Sequence, residues 1–171
     1  LLQKKIREYG VNLQVNTLTE SIERNPDGSI TVYAKDHEPF DVDLIIVGTG
    51  VRPNVSLLEG SSVKIDRGII VNERMETNAA GIYAAGDVAQ GPTALGKEHV
   101  IHALWPTAVE EGKIAGANMA GQNLVYAGSL NMNVTEMFGI TVASMGRFRE
   151  EKFDRKQEYL DGEGRRYVKL V

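Results

Sequence analysis

The segment from Thr77 to Asp87 constrains the fold most, because a short apolar run leads directly into a glycine and an acid. The run Ile82–Ala85 suits a strand covered on both faces, and its small residues let a second backbone or a flat ligand come close. Gly86 gives the turn the freedom to aim Asp87 outward at the carboxyl end of the strand, where ligands bind in parallel α/β sheets. A core strand that ends in a turn with an aspartate cap explains the pattern equally well.

The composition excludes several classes of protein. With 171 residues, 42% of them apolar and 25% charged, the chain is long enough to bury one sizeable core. A net charge of −4 without a basic stripe argues against a nucleic-acid partner. No apolar run approaches the roughly 20 residues that cross a bilayer, so we expect no membrane partner and a cytoplasmic location. Since the chain has no cysteine, it has no disulfide, thiolate metal site or redox thiol of its own.

Hydrophobic spacing predicts mainly strands in the first part of the chain. Residues 1–9 have the spacing of a short amphipathic helix that ends at Gly10. The alternation from Val11 to Val15 predicts a half-buried strand, and the turn sequence at 25–28 predicts a hairpin. The unbroken apolar run Leu44–Val47 predicts a parallel strand that is covered on both sides.

A glycine-containing turn, Gly48-Thr49-Gly50, follows that predicted strand at once. The position invites comparison with the dinucleotide-binding turn between a strand and a helix. However, Pro53 occupies the place of the third glycine, and only a short segment follows before the next breaker residues. The two glycines permit close approach of a flat ligand, although the spacing alone favours a plain tight turn.

The longest predicted helix runs from about Leu104 to Ala120, with Pro106 in its first turn and Gly121 as its stop. Small residues recur along one face at Ala108, Gly112, Ala115, Gly116 and Ala120. Because glycine inside a helix costs roughly 1 kcal/mol relative to alanine, we expect a backbone or a ligand packed close against this face. The helix dipole accounts for Glu110 and Glu111 in the first turns.

The remaining chain predicts loops and short strands. Residues 88–97 contain Gly91, Pro92 and Gly96 and predict a loop, and 147–156 predicts a solvated charged loop. Strands are predicted at 69–71, 132–134, 140–144 and 167–171. His99 and His102 have no third ligand beside them, so we expect no metal site. The five methionines are interpreted as core or interface residues.

The order of these pieces is informative beyond any single motif. The pieces are a strand followed by Gly48-x-Gly50-x-Arg52-Pro53-Asn54, the Thr77–Asp87 motif, Trp105-Pro106-x-Ala108-x-x-x-Gly112-x-x-Ala115, and a β-rich tail. This order resembles the FAD-dependent pyridine nucleotide-disulfide oxidoreductase family across nearly the whole chain. Within the family it looks most like the branch of NADH oxidases, NADH:rubredoxin reductases, coenzyme A disulfide reductases and the flavin portion of nitrite reductases.

The resemblance implies an α/β fold with partial Rossmann-like FAD/NAD(P)-binding domains, followed by part of an α+β interface (dimerisation) domain. Residues 1–71 would form the second half of the NAD(P)H-binding domain, and 72–121 the C-terminal segment of the FAD-binding domain. Residues 122–171 would begin the interface domain. The family's glycine loops for both nucleotides come earlier in its sequences, so we expect a fragment of a larger homodimeric protein.

The resemblance also implies two cofactor sites. Gly86 and Asp87 match the position of the family acid that binds the ribityl chain of FAD, and a carboxylate accepts hydroxyl donors well. The segment Trp105-Pro106-Thr107-Ala108 matches the helix start that faces the flavin ring, where free N–H groups favour negative charge. The turn Gly48-Thr49-Gly50 matches the loop near the bound NAD(P)H.

Two hypotheses for function follow. In the first, the intact parent is an enzyme that passes a hydride from NAD(P)H to FAD and then reduces a small-molecule or small-protein electron acceptor. The present chain would supply one wall of each cofactor site and no catalytic residue. In the second, the isolated chain is a non-catalytic fragment that acts only as a binding or dimerisation module. The lack of a phosphate-cradling glycine loop favours the second hypothesis for the isolated chain.

Overall fold

The computed structural model describes residues 1–147, 155–163 and 166–171. These residues form two compact units, Leu1–Gly50 and Val51–Val171. Helices and strands occur in both units, which confirms the predicted α/β class. The predicted charged loop at 147–156 lies mostly outside the described residues, and the domain boundaries after 71 and 121 stay predictions.

The first unit contains one short helix and one small sheet. Helix α1 spans Leu2–Glu8. Strands β1 (Thr19–Arg24), β2 (Ile30–Ala34) and β3 (Phe40–Val42) pair antiparallel in the order β1-β2-β3. The helix and the hairpin are therefore confirmed, because their spacing and turn signals are local properties of the sequence.

Two strands predicted in this unit are absent. The segments Val11–Val15 and Leu44–Val47 have no strand pairing. Within the second segment, the exposed fractions of Leu44, Ile46 and Val47 are 74%, 86% and 70%. The prediction of a strand covered on both sides was wrong, because no described strand lies alongside to share its backbone hydrogen bonds.

The second unit is built on a small mixed sheet. Strand β4 (Ile69–Ile70) pairs parallel with β5 (Ala89–Pro92), which pairs antiparallel with β6 (His99–Val100). The buried cluster beside this sheet consists of Val71, Met75, Ala84, Ala89, Ala115 and Tyr126. The prediction of a loop at 88–97 was wrong in part, because β5 begins one residue after Val88.

The motif before Asp87 also departs from its prediction. Segment Ile82–Ala85 makes only an isolated bridge, between Tyr83 and Glu76. Its backbone folds back on the preceding residues, since Ala84 N–H donates to the carbonyl of Met75 at 3.1 Å. This local closure replaces a sheet strand, so Ala84 is buried whereas Ile82 is 44% exposed.

Helix α2 spans Trp105–Met119 and ends before Gly121, which has a φ of +86°. Both ends agree with the prediction. Its buried residues are Thr107, Glu111, Ala115 and Asn118. No described backbone packs close to Gly112 or Gly116, because a Cβ at either position would meet none of the described atoms within 4 Å, and the alternative of a ligand against this face stays a prediction.

The tail forms two antiparallel strand pairs. Strand β7 (Met132–Met137) pairs with β8 (Ile140–Met145), and β9 (Gln157–Leu160) pairs with β10 (Tyr167–Leu170). The three strands predicted here are confirmed. Met75 is fully buried, but the other four methionines are exposed, so they are not core residues of this chain. Among the described helices, none has the length and apolar character needed to cross a membrane.

Two glycine substitutions should have opposite effects on stability. A Cβ at Gly128, which has a φ of +97°, would lie 2.5 Å from the carbonyl carbon of Thr93, so Gly128→Ala should destabilise the chain by about 2 kcal/mol or more. Gly112→Ala adds its methyl group to open space and should stabilise by up to about 1 kcal/mol. Urea denaturation of both variants checks this, and equal shifts of the two midpoints would contradict it.

Candidate functional site

The turn Gly86–Val88 lies between the core segment and β5 and packs against α2. Gly86 has a φ of +77°, as its place in the predicted turn requires. A Cβ at Gly86 would lie 3.3 Å from the Cβ of Ala108. The structure therefore brings together two of the residues predicted from the sequence, and it leaves the Asp87 side chain exposed beside them.

A cavity of about 800 Å³ opens next to this turn. Its polar lining comes from Asp87, Arg52, Arg67 and Asn54, and its apolar lining from Val51, Pro53, Val88, Ile101 and Ala103. The volume lies within the range of ordinary small-molecule sites. One carboxylate and two guanidinium groups on the same cavity suit a ligand that carries both hydroxyl and anionic groups.

Gln90 holds the backbone that carries Arg67. Its side chain is 5% exposed, and its Oε1 accepts from the N–H groups of Arg67 at 3.2 Å and Gly68 at 3.1 Å. Its Nε2 donates to Asp66 Oδ2 at 3.0 Å and to the carbonyl of His99 at 3.3 Å. Sequence reasoning missed Gln90 because it assigned this strand to a loop.

Glu111 is a second buried polar residue, under the Gly86 turn. It is 4% exposed, and its Oε2 accepts a hydrogen bond from Gly86 N–H at 2.8 Å. Burial is the largest cause that raises the pKa of Glu111, the Gly86 hydrogen bond lowers it, and the charges of Glu110 and Asp87 raise it, which together bring it to about 7.

The helix dipole does not explain Glu111, so that interpretation was wrong for this residue. Its side chain is buried and bonded to a turn 25 residues away. A signal was available in the sequence, since Glu111 lies three residues after Ala108 and four before Ala115. That spacing places an acid on the face of the helix that was predicted to pack closely.

Tyr126 lies in the same buried region. It is 4% exposed, and its hydroxyl oxygen has no hydrogen-bond partner among the described residues. Burial, followed by the negative charge of Glu111, raises the pKa of Tyr126 to about 12. The phenol therefore stays neutral over the range in which Glu111 gains and loses its proton.

The other predicted site residues are distributed as follows. At the start of α2, Trp105 is 80% exposed, Thr107 is buried, and no described side chain caps the first turn, which includes Pro106. The turn Gly48-Thr49-Gly50 belongs to the first unit, where it is exposed and irregular. A Cβ at either of its glycines would meet no described atom within 4 Å.

The histidines behave as ordinary structural residues. The Nδ1 of His102 lies 2.6 Å from Ser129 Oγ, and partial burial lowers the pKa of His102. The carbonyl of His99 accepts from Gln90. Within the described ranges, no group of three potential ligands could hold a metal ion.

Comparison with known proteins identifies close similarities. The sequence profile of the pyridine nucleotide-disulphide oxidoreductase family matches residues 1–112. The chain is 31% identical over 148 residues to the CoA-dependent NAD(P)H sulfur oxidoreductase of Pyrococcus furiosus, covering 85% of this chain and 33% of that protein. It is 31% identical over 147 residues to the NADH oxidase of Methanocaldococcus jannaschii, covering 85% and 32%.

A similar fold occurs in the crystal structure of the covalent putidaredoxin reductase–putidaredoxin complex, with a TM-score of 0.78 and 26% identity. The match covers 91% of this chain and 37% of that chain. The present chain thus spans about a third of the length of the curated relatives it matches.

The buried acid should make stability depend on pH. The pKa of Glu111 is about 7 in the folded chain against an ordinary 4.5, so between these values only the unfolded state loses the proton. The contribution of Glu111 to stability is therefore fully present below about pH 4.5 and should fall by about 3 kcal/mol as pH rises through 7. Glu111→Gln should remove most of this fall, as measured by urea denaturation at pH 5 and 8.

Glu110→Gln provides the matched control, because it makes the same charge change at the exposed neighbouring position. This variant should keep most of the pH dependence of the wild-type chain. Parallel curves for the wild type and Glu111→Gln would show that Glu111 does not hold its proton in the folded state.

Proposed function

Because the chain belongs to the pyridine nucleotide-disulphide oxidoreductase family, we propose that it is part of a flavoprotein that passes a hydride from NAD(P)H to FAD and the electrons on to an acceptor. In this class of enzyme the cofactors supply the redox chemistry. The residues of the chain bind and orient the cofactors and provide the electrostatic environment. None of the residues assigned below is proposed to react.

The observation that carries the proposal is the cavity beside Asp87. Its exposed carboxylate can accept hydrogen bonds from two hydroxyl groups, as a ribityl chain would offer. Arg52 and Arg67 line the same cavity and provide planar, permanently charged donors that suit a pyrophosphate. The residues present therefore fit FAD: Asp87 would bind its sugar-alcohol chain, and Arg52 and Arg67 would bind its phosphates.

The start of α2 supports the same assignment. Gly86 lies so close to Ala108 that a Cβ there would make a tight contact of 3.3 Å with the Ala108 Cβ, and this approach keeps the turn next to the first helical turn. No described side chain caps the first turn, so the N–H groups of Trp105 and Thr107 and the positive end of the helix dipole would be available to the flavin. Pro106 has no N–H, and the N–H of Ala108 donates to the carbonyl of Leu104 at 2.9 Å. Negative charge on the ring would be stabilised there.

For NAD(P)H we propose the turn Gly48-Thr49-Gly50. Both glycines have open space where a side chain would project, and Gly50 has a φ of +88°. Both features are compatible with a flat nucleotide lying against the backbone. We assign this turn to the nicotinamide nucleotide on these grounds and on family resemblance.

The proposed domain plan assigns 1–71 to the NAD(P)H-binding domain, 72–121 to the FAD-binding domain and 122–171 to an interface domain that forms a homodimer. The hairpin β7–β8 exposes apolar side chains at Met132, Val134 and Met145, which supports an interface role. The acceptor is proposed to be a small molecule or a small protein. The names of the relatives, a sulfur oxidoreductase and a reductase bound to putidaredoxin, cover both kinds.

A second possibility is that the isolated chain only binds or dimerises. Its support is the coverage of about a third of the relatives' length, together with the exposed apolar segment Leu44–Val47. The colour of the purified chain separates the two. A visible flavin absorbance band that NADH bleaches supports activity of the chain itself, and colourless protein confines the chemistry to a larger polypeptide.

The assignment of Asp87 predicts weaker flavin binding after its removal. In the flavoprotein that contains this chain, Asp87→Ala should lower FAD affinity about ten- to a hundredfold, through the loss of about 1.5–3 kcal/mol from charge-assisted hydrogen bonds. Titration of the apoprotein with FAD, followed by flavin fluorescence, measures the change. Glu98→Ala removes an exposed acid away from the cavity lining and should have no effect. An unchanged FAD affinity in Asp87→Ala would contradict the assignment of Asp87 to the ribityl chain.

A further inference from the structure

The function proposed above gives no role to the buried carboxyl group of Glu111. This group is 4% exposed and lies 2.8 Å from the backbone nitrogen of Gly86, the residue immediately before Asp87. It is not part of the cavity lining, so it has no direct access to a bound ligand. Glu111 nevertheless contacts Gly86, which directly precedes Asp87, the residue proposed to bind the ribityl chain.

We propose that Glu111 is a positioning residue whose proton regulates flavin binding: through its hydrogen bond to Gly86 N–H it sets the turn that presents Asp87 to the ribityl chain. The inference rests on the proposed flavin site. The inference adds to that site a role for Glu111, which acts through the turn that carries Asp87, and a dependence of FAD affinity on pH.

The geometry of the turn carries the first step. Gly86 is held at two points by one helix, because its N–H donates to Glu111 and its α-carbon faces Ala108. These two residues of α2 are three positions apart and therefore lie on the same face. Asp87 follows Gly86 directly. The orientation of the backbone at Gly86 therefore sets the direction in which the Asp87 side chain leaves the turn.

The electrostatic surroundings of Glu111 carry the second step. The ionisable groups that act on it are Glu110 on the same helix and Asp87 on the turn, and both disfavour its charge. From another segment, the Tyr126 phenol faces it, and the high pKa of this phenol keeps it neutral. Burial and two acids thus oppose ionisation, while the Gly86 hydrogen bond favours it, and the balance brings the pKa of Glu111 to about 7.

The protonation state changes the strength of the contact with the turn. An ionised carboxylate accepts a charge-assisted hydrogen bond, which is roughly twice as strong as one to a neutral carboxyl group. The turn is therefore held more firmly above pH 7 than below it, and Asp87 is better oriented for its ligand. FAD affinity should rise by about fivefold between pH 6 and 8.

The first test requires no flavin. In the chain itself, the NMR signal of the Gly86 amide should follow a single protonation step near pH 7, as should the carboxyl carbon signal of Glu111. In Glu111→Gln, which keeps an oxygen acceptor and adds no buried charge, the Gly86 step should vanish. Glu110→Gln should retain it. A Gly86 amide that does not titrate, or that titrates equally in Glu111→Gln, overturns the inference and leaves the flavin site untouched.

The second test measures FAD affinity in the flavoprotein at pH 6 and 8. Wild type and Glu110→Gln should bind about fivefold more tightly at pH 8, whereas Glu111→Gln should bind equally at both pH values. A residue with a purely structural role would alter affinity but not its dependence on pH. Wild-type protein that binds FAD without a pH dependence contradicts the inference alone, and absence of FAD binding at either pH contradicts the proposed function as well.

Discussion

The hydrogen bond from Gly86 N–H to Glu111 connects the two parts of the second unit that meet at the candidate site. It connects the 3-10 turn Gly86–Val88 to the buried face of α2, and the two bonded residues are 25 positions apart in the sequence. Glycine is favoured on the turn side, because its φ is +77° and a Cβ there would make a tight contact of 3.3 Å with the Cβ of Ala108. The backbone immediately before Asp87 is thus held by an acid that is not in the cavity lining.

The backbone at Arg67, which lines the same cavity, is also held by a buried polar side chain. Gln90 accepts from the backbone at Arg67 and Gly68, and a Cβ at Gly68 would lie 2.7 Å from the carbonyl oxygen of Val88. Two buried polar side chains, Gln90 and Glu111, therefore hold the backbone next to the charged cavity residues Arg67 and Asp87. Such groups are costly to leave unpaired, so they stabilise the 3-10 turn Gly86–Val88 and the turn at Arg67-Gly68.

Much of the local structure could be predicted from the sequence. The limits of α2, the β1–β2 hairpin and the presence of strands β7 and β8 follow from periodicity and turn residues that lie within a few positions of each other. The strands predicted at Val11–Val15, Leu44–Val47 and Ile82–Ala85 failed for a common reason. An apolar run becomes a strand only when a neighbouring strand completes its hydrogen bonds, and the sequence of the run does not reveal whether one is present.

By itself, the sequence determined that a glycine precedes Asp87, that a helix begins near Trp105, and that the order of motifs is that of a pyridine nucleotide-disulphide oxidoreductase. Only the tertiary structure decided that Glu111 is buried under Gly86 and that Arg52, Arg67 and Asp87 line one cavity. The physical reason is the range of the interactions. Helix periodicity and turn preferences act between near neighbours, whereas the burial and pKa of an acid depend on segments that meet only when the chain has folded.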